Sequence, residues 1–143
     1  MKNILRILLI VSFVFVSNTW AQKTKVVHKD KYGNTVSTSD QDGSRSTNKD
    51  KYGNTTGYDV QDRNKTTHKD RYGNTNGYST QDNNRTVVRD KYGNTTGNIQ
   101  MNGNTATYKD KYGNTTGTSK QVGNTITHKD KYGNTTGTTK VVK

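Results

Sequence analysis

The chain has no cysteine, no proline and no glutamate among its 143 residues. Without cysteine there are neither disulfides to staple the fold nor thiolates to hold a metal. Without proline, every turn must be made by Gly, Asn and Asp, which reach turn conformations for different physical reasons. The only tryptophan, Trp20, and both phenylalanines fall within the first 21 residues. Beyond them, apolar residues are few, and nine of the aromatic side chains are tyrosines. A chain of this length normally offsets a backbone entropy cost of about 1–2 kcal/mol per residue by burying a large apolar core. This composition does not supply one, so order must come from backbone pairing and side-chain ladders, or from a partner.

The first 21 residues differ in kind from the rest. Lys2 and Arg6 precede an apolar run from Ile7 to Val16, interrupted by Ser12, and Thr19 and Ala21 place small residues before Gln22. That is the layout of a secretory signal peptide. The run is shorter than the roughly 20 residues that span a bilayer, and no cysteine follows it to carry a lipid. The expected organisation is a signal peptide at 1–21, a lead-in at 22–28 and six tandem 20-residue repeats at 29–143, the last truncated. The expected location is secreted or at the cell surface, with no transmembrane segment after signal cleavage. The formal net charge of the whole chain is +12.

The repeat is what the chain has in abundance. "KDKYGNTTG" begins at Lys49, and close copies begin at Lys29, Lys69, Arg89, Lys109 and Lys129. Asp30, Tyr32, Gly33, Asn34 and Thr35 recur at every step of 20 residues. A weaker copy lies ten residues out of phase: "QDGSRST" from Gln41, "QDRNKTT" from Gln61, "QDNNRTV" from Gln81 and "QVGNTIT" from Gln121. Each unit is thus two ten-residue halves, each with a turn signal and about six Thr-rich residues. Asp-x-x-Gly suits a type I turn, and Gly-Asn suits a two-residue hairpin turn that needs positive φ. In the second half that position holds Gly43, Arg63, Asn83, Gly103 and Gly123, of which Arg63 fits least well. The Thr-, Val- and Tyr-containing segments between turns favour strand over helix.

Because ten and twenty are both even, every copy presents the same residues to the same face of a strand. The expected class is therefore all-β, either a β-hairpin meander or a β-solenoid. In a solenoid, the asparagines from Asn34 to Asn134 and the threonines from Thr35 to Thr135 would form ladders. Stacking would also align Lys29 and Lys31 with their copies, and like charges opposed at strand spacing destabilise. Low hydrophobicity with high net charge keeps an intrinsically disordered repeat open as the alternative.

The repeated phrase divides into two sets of candidate residues. Asp30, Gly33 and Asn34 are expected to be structural turn residues. Their copies are Asp50, Gly53, Asn54, Asp70, Gly73, Asn74, Asp90, Gly93, Asn94, Asp110, Gly113, Asn114, Asp130, Gly133 and Asn134. The turn does not require the cations and the tyrosine, which form a candidate polyanion-contact set. That set is Lys29, Lys31, Tyr32, Lys49, Lys51, Tyr52, Lys69, Arg71, Tyr72, Arg89, Lys91, Tyr92, Lys109, Lys111, Tyr112, Lys129, Lys131 and Tyr132. His28, His68 and His128 share a repeat position with Asn48, Val88 and Tyr108. A metal ligand or general base does not interchange with valine, so these histidines are expected to be exposed or ladder residues. No enzymatic activity, no cofactor and no metal are expected, and one carboxylate per unit is poor calcium chemistry.

"QVGNTIT" and "QMNGNTAT", in an exported chain of units of about 20 residues, resemble curlin repeats of bacterial surface fibres. That resemblance implies a secreted subunit polymerising as a β-solenoid, with Gln41, Gln61, Gln81, Gln121 and the Asn34 series in the ladder role. "YKDKYGNTTG" from Tyr108 is similar to the Tyr-Asp repeats of RHS-type proteins, which implies hairpins built on Asp-x-x-Gly-Asn turns. The function expected is a secreted, non-catalytic structural, adhesive or fibre-forming element of the cell surface or extracellular matrix. Polyanion binding, to nucleic acid, anionic polysaccharide or lipopolysaccharide, is the competing reading, and a threonine array matching ice or mineral is a third. The expected partners are further copies of the chain or polyanions, with no small-molecule substrate.

Overall fold

The computed structural model describes residues 23–142, so the expected signal peptide lies outside the described residues. Twelve strands follow in sequence: β1 Thr24–Asp30, β2 Thr35–Asp42, β3 Arg45–Asp50, β4 Thr55–Asp62, β5 Lys65–Asp70 and β6 Thr75–Asp82. They continue as β7 Arg85–Asp90, β8 Thr95–Asn102, β9 Thr105–Asp110, β10 Thr115–Val122, β11 Thr125–Asp130 and β12 Thr135–Val142. Each strand pairs antiparallel with its sequence neighbours, and β12 pairs with β1, so the sheet is a closed barrel. The all-β meander is what the repeat predicts.

The solenoid and the disordered alternative are both corrected. A solenoid needs turns that keep the chain advancing in one sense, whereas both turn types here reverse it. Consecutive copies of the repeat therefore lie two strands apart, about 9–10 Å, and the Asn34 and Thr35 series form no stacked ladders. Lys31 and its copies lie in turns beyond the strand ends, so they do not share a strand face with the Lys29 series.

Two turn chemistries alternate between the two rims. After odd strands, the Gly33 N–H donates to the Asp30 carbonyl at 3.1 Å and the Asp30 N–H to the Asn34 carbonyl at 2.9 Å. Gly33 has φ +88°, a conformation that glycine adopts without steric cost. Next to this turn the register slips between His28 and Lys29, because His28 faces Ser37 while Lys29 faces Thr35. The same bulge recurs in every repeat. Each bulge adds local twist and bend, and six of them on one side of one meander curl it until β12 meets β1.

After even strands, a two-residue turn has positive φ at its first central position, namely Gly43, Arg63, Asn83, Gly103 and Gly123. Arg63 sits at φ 53° despite its side chain, where a non-glycine residue is disfavoured by about 1–2 kcal/mol. Replacing it should therefore help the fold. Arg63→Gly is expected to raise unfolding free energy by about 1 kcal/mol, measured by urea titration. A loss of stability would show that the arginine contributes a contact outweighing its backbone strain.

The interior contains little hydrocarbon. Ile99, Ala106, Tyr108 and Ile126 form a buried apolar cluster, with Val88 and Met101 packed against it. Apart from Val26, the rest of the inward face is mainly Ser, Thr, Asn, Gln, His and Gly, with the carboxylate Asp59. His28, Thr139, Ile126 and Ser119 are at most 1% exposed, so side chains fill the barrel at this level. The inward glycines of β4, β6, β8, β10 and β12 sit directly against neighbouring backbone. A Cβ on Gly117 would lie 2.6 Å from the Lys129 carbonyl oxygen, and one on Gly97 2.5 Å from that of Lys109.

Candidate functional site

The Asp-Lys-Tyr-Gly-Asn turns place six copies of one cation–tyrosine unit around one rim. In each, the Asp carboxylate is used by the turn itself. Asp30 Oδ1 accepts the Tyr32 and Asn34 N–H groups at 2.9 Å, and Asn34 Nδ2 donates to Oδ2 at 3.0 Å. Asp50, Asp70, Asp90, Asp110 and Asp130 repeat the pattern. The side-chain amide of Asn34, followed by the backbone N–H groups of the turn, holds the Asp30 carboxyl below the ordinary carboxylate value. The 18 turn residues read from sequence thus sit together in the turns.

The cation and tyrosine carry no such duty. The tyrosines from Tyr32 to Tyr132 in this series are 74–78% exposed. Lys31 Nζ lies 4.9 Å from the Tyr32 ring centroid, and Lys51, Lys91, Lys111 and Lys131 repeat the distance. Arg71 stacks on Tyr72 at 4.6 Å and also donates to its hydroxyl. The resulting crown carries six cations and six aromatic faces, with its carboxylates already engaged by hydrogen bonds.

The second cation of each copy is placed elsewhere. Lys29, Lys49, Lys69, Arg89, Lys109 and Lys129 project outward from strands, and they are not equivalent. Lys49 pairs with Asp40 at 2.7 Å. Lys69 faces Tyr58 and Arg89 faces Tyr78, and these large neighbours leave both half-buried. Lys29 faces Thr138 and Lys129 faces Thr118, and both are exposed. Sequence periodicity groups all six, whereas their cross-strand partners divide them.

Inside the barrel, one side chain per strand contributes to a belt. Ser39 Oγ donates to Asn48 Oδ1 at 2.9 Å, and Asn48 Nδ2 donates to Asp59 Oδ2 at 2.8 Å. His68 then bridges Asp59 Oδ1 at 2.5 Å and Ser79 Oγ at 2.6 Å. Val88 and Ile99 interrupt the belt with hydrocarbon. It resumes where the Tyr108 hydroxyl donates to Ser119 Oγ at 2.7 Å. Ser119 Oγ meets His128 Nδ1 at 2.5 Å, His128 Nε2 meets Thr139 Oγ1 at 2.7 Å, and Thr139 Oγ1 meets His28 Nδ1 at 2.9 Å.

One proton assignment satisfies the second arc. Tyr108 donates to Ser119, Ser119 to His128, His128 to Thr139 and Thr139 to His28, with both imidazoles neutral. Burial, the main cause, lowers the His28 and His128 pKa values to about 4, and for His128 the nearby His28 adds to this. The histidines are thus buried or half-buried belt members, which corrects the expectation that they are exposed or ladder residues.

Asp59, His68 and Ser79 have the order of a catalytic triad, but their surroundings do not suit one. Ser79 is 4% exposed. It pairs with Thr66 on one side and Val88 on the other, so the strand ladder occupies the local backbone donors that an oxyanion hole would need. The three residues are better described as one arc of the structural belt.

Sequence reasoning missed the belt, although one signal pointed to it. In a chain of formal charge +12, no copy of the His28 position or of the Ser39 position is Lys or Arg. The sequence matches no protein-family model and no curated protein.

Proposed function

We propose that the chain is an exported, non-catalytic adhesive module of the cell surface or matrix that holds polyanions at its crown. The observation that carries this reading is the crown itself, six exposed tyrosines each stacked by a cation the turn does not need. Lysine and arginine neutralise phosphate, sulfate or carboxylate, and the exposed rings offer a flat apolar contact to sugar or base. A role as a membrane pore is less well supported. The strands have six to eight residues, where a spanning strand needs about 9–11. Their outward positions include Lys25, Arg45, Lys65 and Arg85 rather than an apolar band.

The test is retention of the mature protein on heparin as salt is raised. Binding should fall steeply with ionic strength. Replacing Lys31, Lys51, Arg71, Lys91, Lys111 and Lys131 together by Gln should lower the log–log salt slope by about 4–5 without changing the circular dichroism spectrum. A slope that stays the same in this variant refutes the crown as the binding surface.

A further inference from the structure

The barrel's outer surface is not electrostatically uniform, although the repeat is. On β2 to β8, outward cations alternate with the carboxylates Asp40, Asp42, Asp62 and Asp82. On β9 to β12 and β1, the outward strand positions hold Lys109, Lys120, Lys129, Lys140, Lys25 and Lys29, and no carboxylate. All but Lys109 are exposed. This half also lacks arginine and outward-facing tyrosine, since Tyr108 points into the belt. Threonines occupy most of the positions between the lysines, although Lys25 faces Val142 and Lys140 faces Val27 across the β1–β12 seam. Lys120 faces Thr127, Lys129 faces Thr118 and Lys29 faces Thr138. The closing seam between β12 and β1 lies within this surface, so closure adds the N-terminal strand to a wall made by the last four strands.

We propose that this wall is a track for a linear acidic polysaccharide, an inference that rests on the polyanion reading of the crown and names its ligand class. Three features favour a polysaccharide over nucleic acid. The wall has no aromatic side chain on which a base could stack. It uses lysine, a point charge, and has no arginine to fork onto base edges. Most of its neutral positions are threonines, whose hydroxyls exchange hydrogen bonds with sugar hydroxyls while the lysines meet the acidic groups. Lysines on alternate strands stand about 9–10 Å apart, close to the length of a disaccharide repeat, and acidic polysaccharides carry charge at that period.

The experiment compares three variants of the mature protein with wild type, using heparin and a short DNA duplex as probes over a salt series. The first replaces Lys120, Lys129 and Lys140 by Gln. The second removes the same charge from the opposite side as Lys65→Gln, Lys69→Gln and Arg85→Gln, and the third is the six-residue crown variant. The wall variant is expected to bind heparin at least tenfold more weakly and to lower the salt slope by about 2–3. The opposite-side variant should change affinity less than threefold. Equal losses from the two triple variants would mean that only net charge matters, which overturns the wall. Losses confined to the crown variant overturn the wall and leave the crown standing. DNA bound as tightly as heparin overturns the polysaccharide assignment. A wild-type protein that binds neither probe removes the polyanion reading altogether. Circular dichroism of each variant separates lost binding from lost folding.

Discussion

Acidification from pH 6.5 to pH 4 should remove several kcal/mol of the barrel's stability, well before the turn carboxylates titrate. The cause is the neutral state that the belt imposes on His28 and His128. Their pKa values are held near 4 in the fold and return to about 6.5 in the unfolded chain. Above pH 6.5 both states are neutral and the histidines contribute no pH dependence. Below it the unfolded chain takes up protons that the fold refuses, so stability falls until the folded histidines also protonate near pH 4. Linkage sets a ceiling of about 3 kcal/mol per histidine, and the two are not independent because both bond Thr139. Further acid should act through the turns. The Asp30 series is held below its ordinary value, so its contribution is present at neutral pH and fades as pH drops through the folded pKa.

Urea midpoints measured from pH 8 to pH 4 check the expectation. His28→Asn with His128→Asn is the informative variant, because β3 already uses Asn48 at this position to join Ser39 and Asp59. The double variant should lose the slope between pH 6.5 and 4 while keeping the decline at lower pH. If its slope matches the wild type, the belt histidines are not the titrating groups. The protonation logic also identifies the weak point of the belt. With Thr139 donating to Nδ1 of His28, its Nε2 carries the hydrogen, and this atom and the Ser37 hydroxyl are buried with no partner among the described residues. They belong to directly opposed residues on β1 and β2, where the two arcs fail to join.

Much of the local structure was legible in the sequence because turn chemistry is local. Asp30, Gly33 and Asn34 announce their hairpin within five residues, and the even spacing of the copies keeps every strand in phase. Positive φ at the Gly43 position followed from the residue types there, with Arg63 as the strained member. Closure was not legible. It depends on six bulges whose small bends add up, and on pairing between residues such as His28 and Thr139 that are 111 positions apart. The inward face was hidden for a related reason. Strand faces are usually read from alternating hydrophobicity, but here Thr and Asn occupy both faces. The division of the Lys29 series was equally hidden, because exposure of each cation depends on a cross-strand neighbour that only the register supplies.

Gly137 is where a single added methyl group should have its largest effect. It lies on β12 opposite Asp30 of β1, and a Cβ there would collide with the backbone carbonyl of Lys29. No flexible side chain can yield, so Gly137→Ala must push β12 away from β1 or distort the neighbouring turn. We expect a loss of about 3 kcal/mol or more, at or beyond the upper range for overpacked sites. The inward position of β2 is the informative contrast. It holds Ser37 where the later even strands hold glycine, and the hydroxyl there is buried without a partner among the described residues. Ser37→Gly should therefore be neutral or stabilising by about 1 kcal/mol, so the same column gives opposite signs at its two ends.

The consequence extends beyond stability. Closure leaves no barrel strand with an unpaired edge, and unpaired edges are what template strand addition between chains. Opening the seam converts the barrel into a twelve-strand meander with β1 and β12 exposed. Fibre formation, the other role the repeat suggests, would have to proceed through that open form. Gly137→Ala should accordingly become thioflavin-positive under conditions in which the wild type and Ser37→Gly remain monomeric. Hydrogen exchange should show β1 and β12 losing protection first. A Gly137→Ala protein that keeps both its melting point and the protection of those two strands would mean that the seam yields without opening.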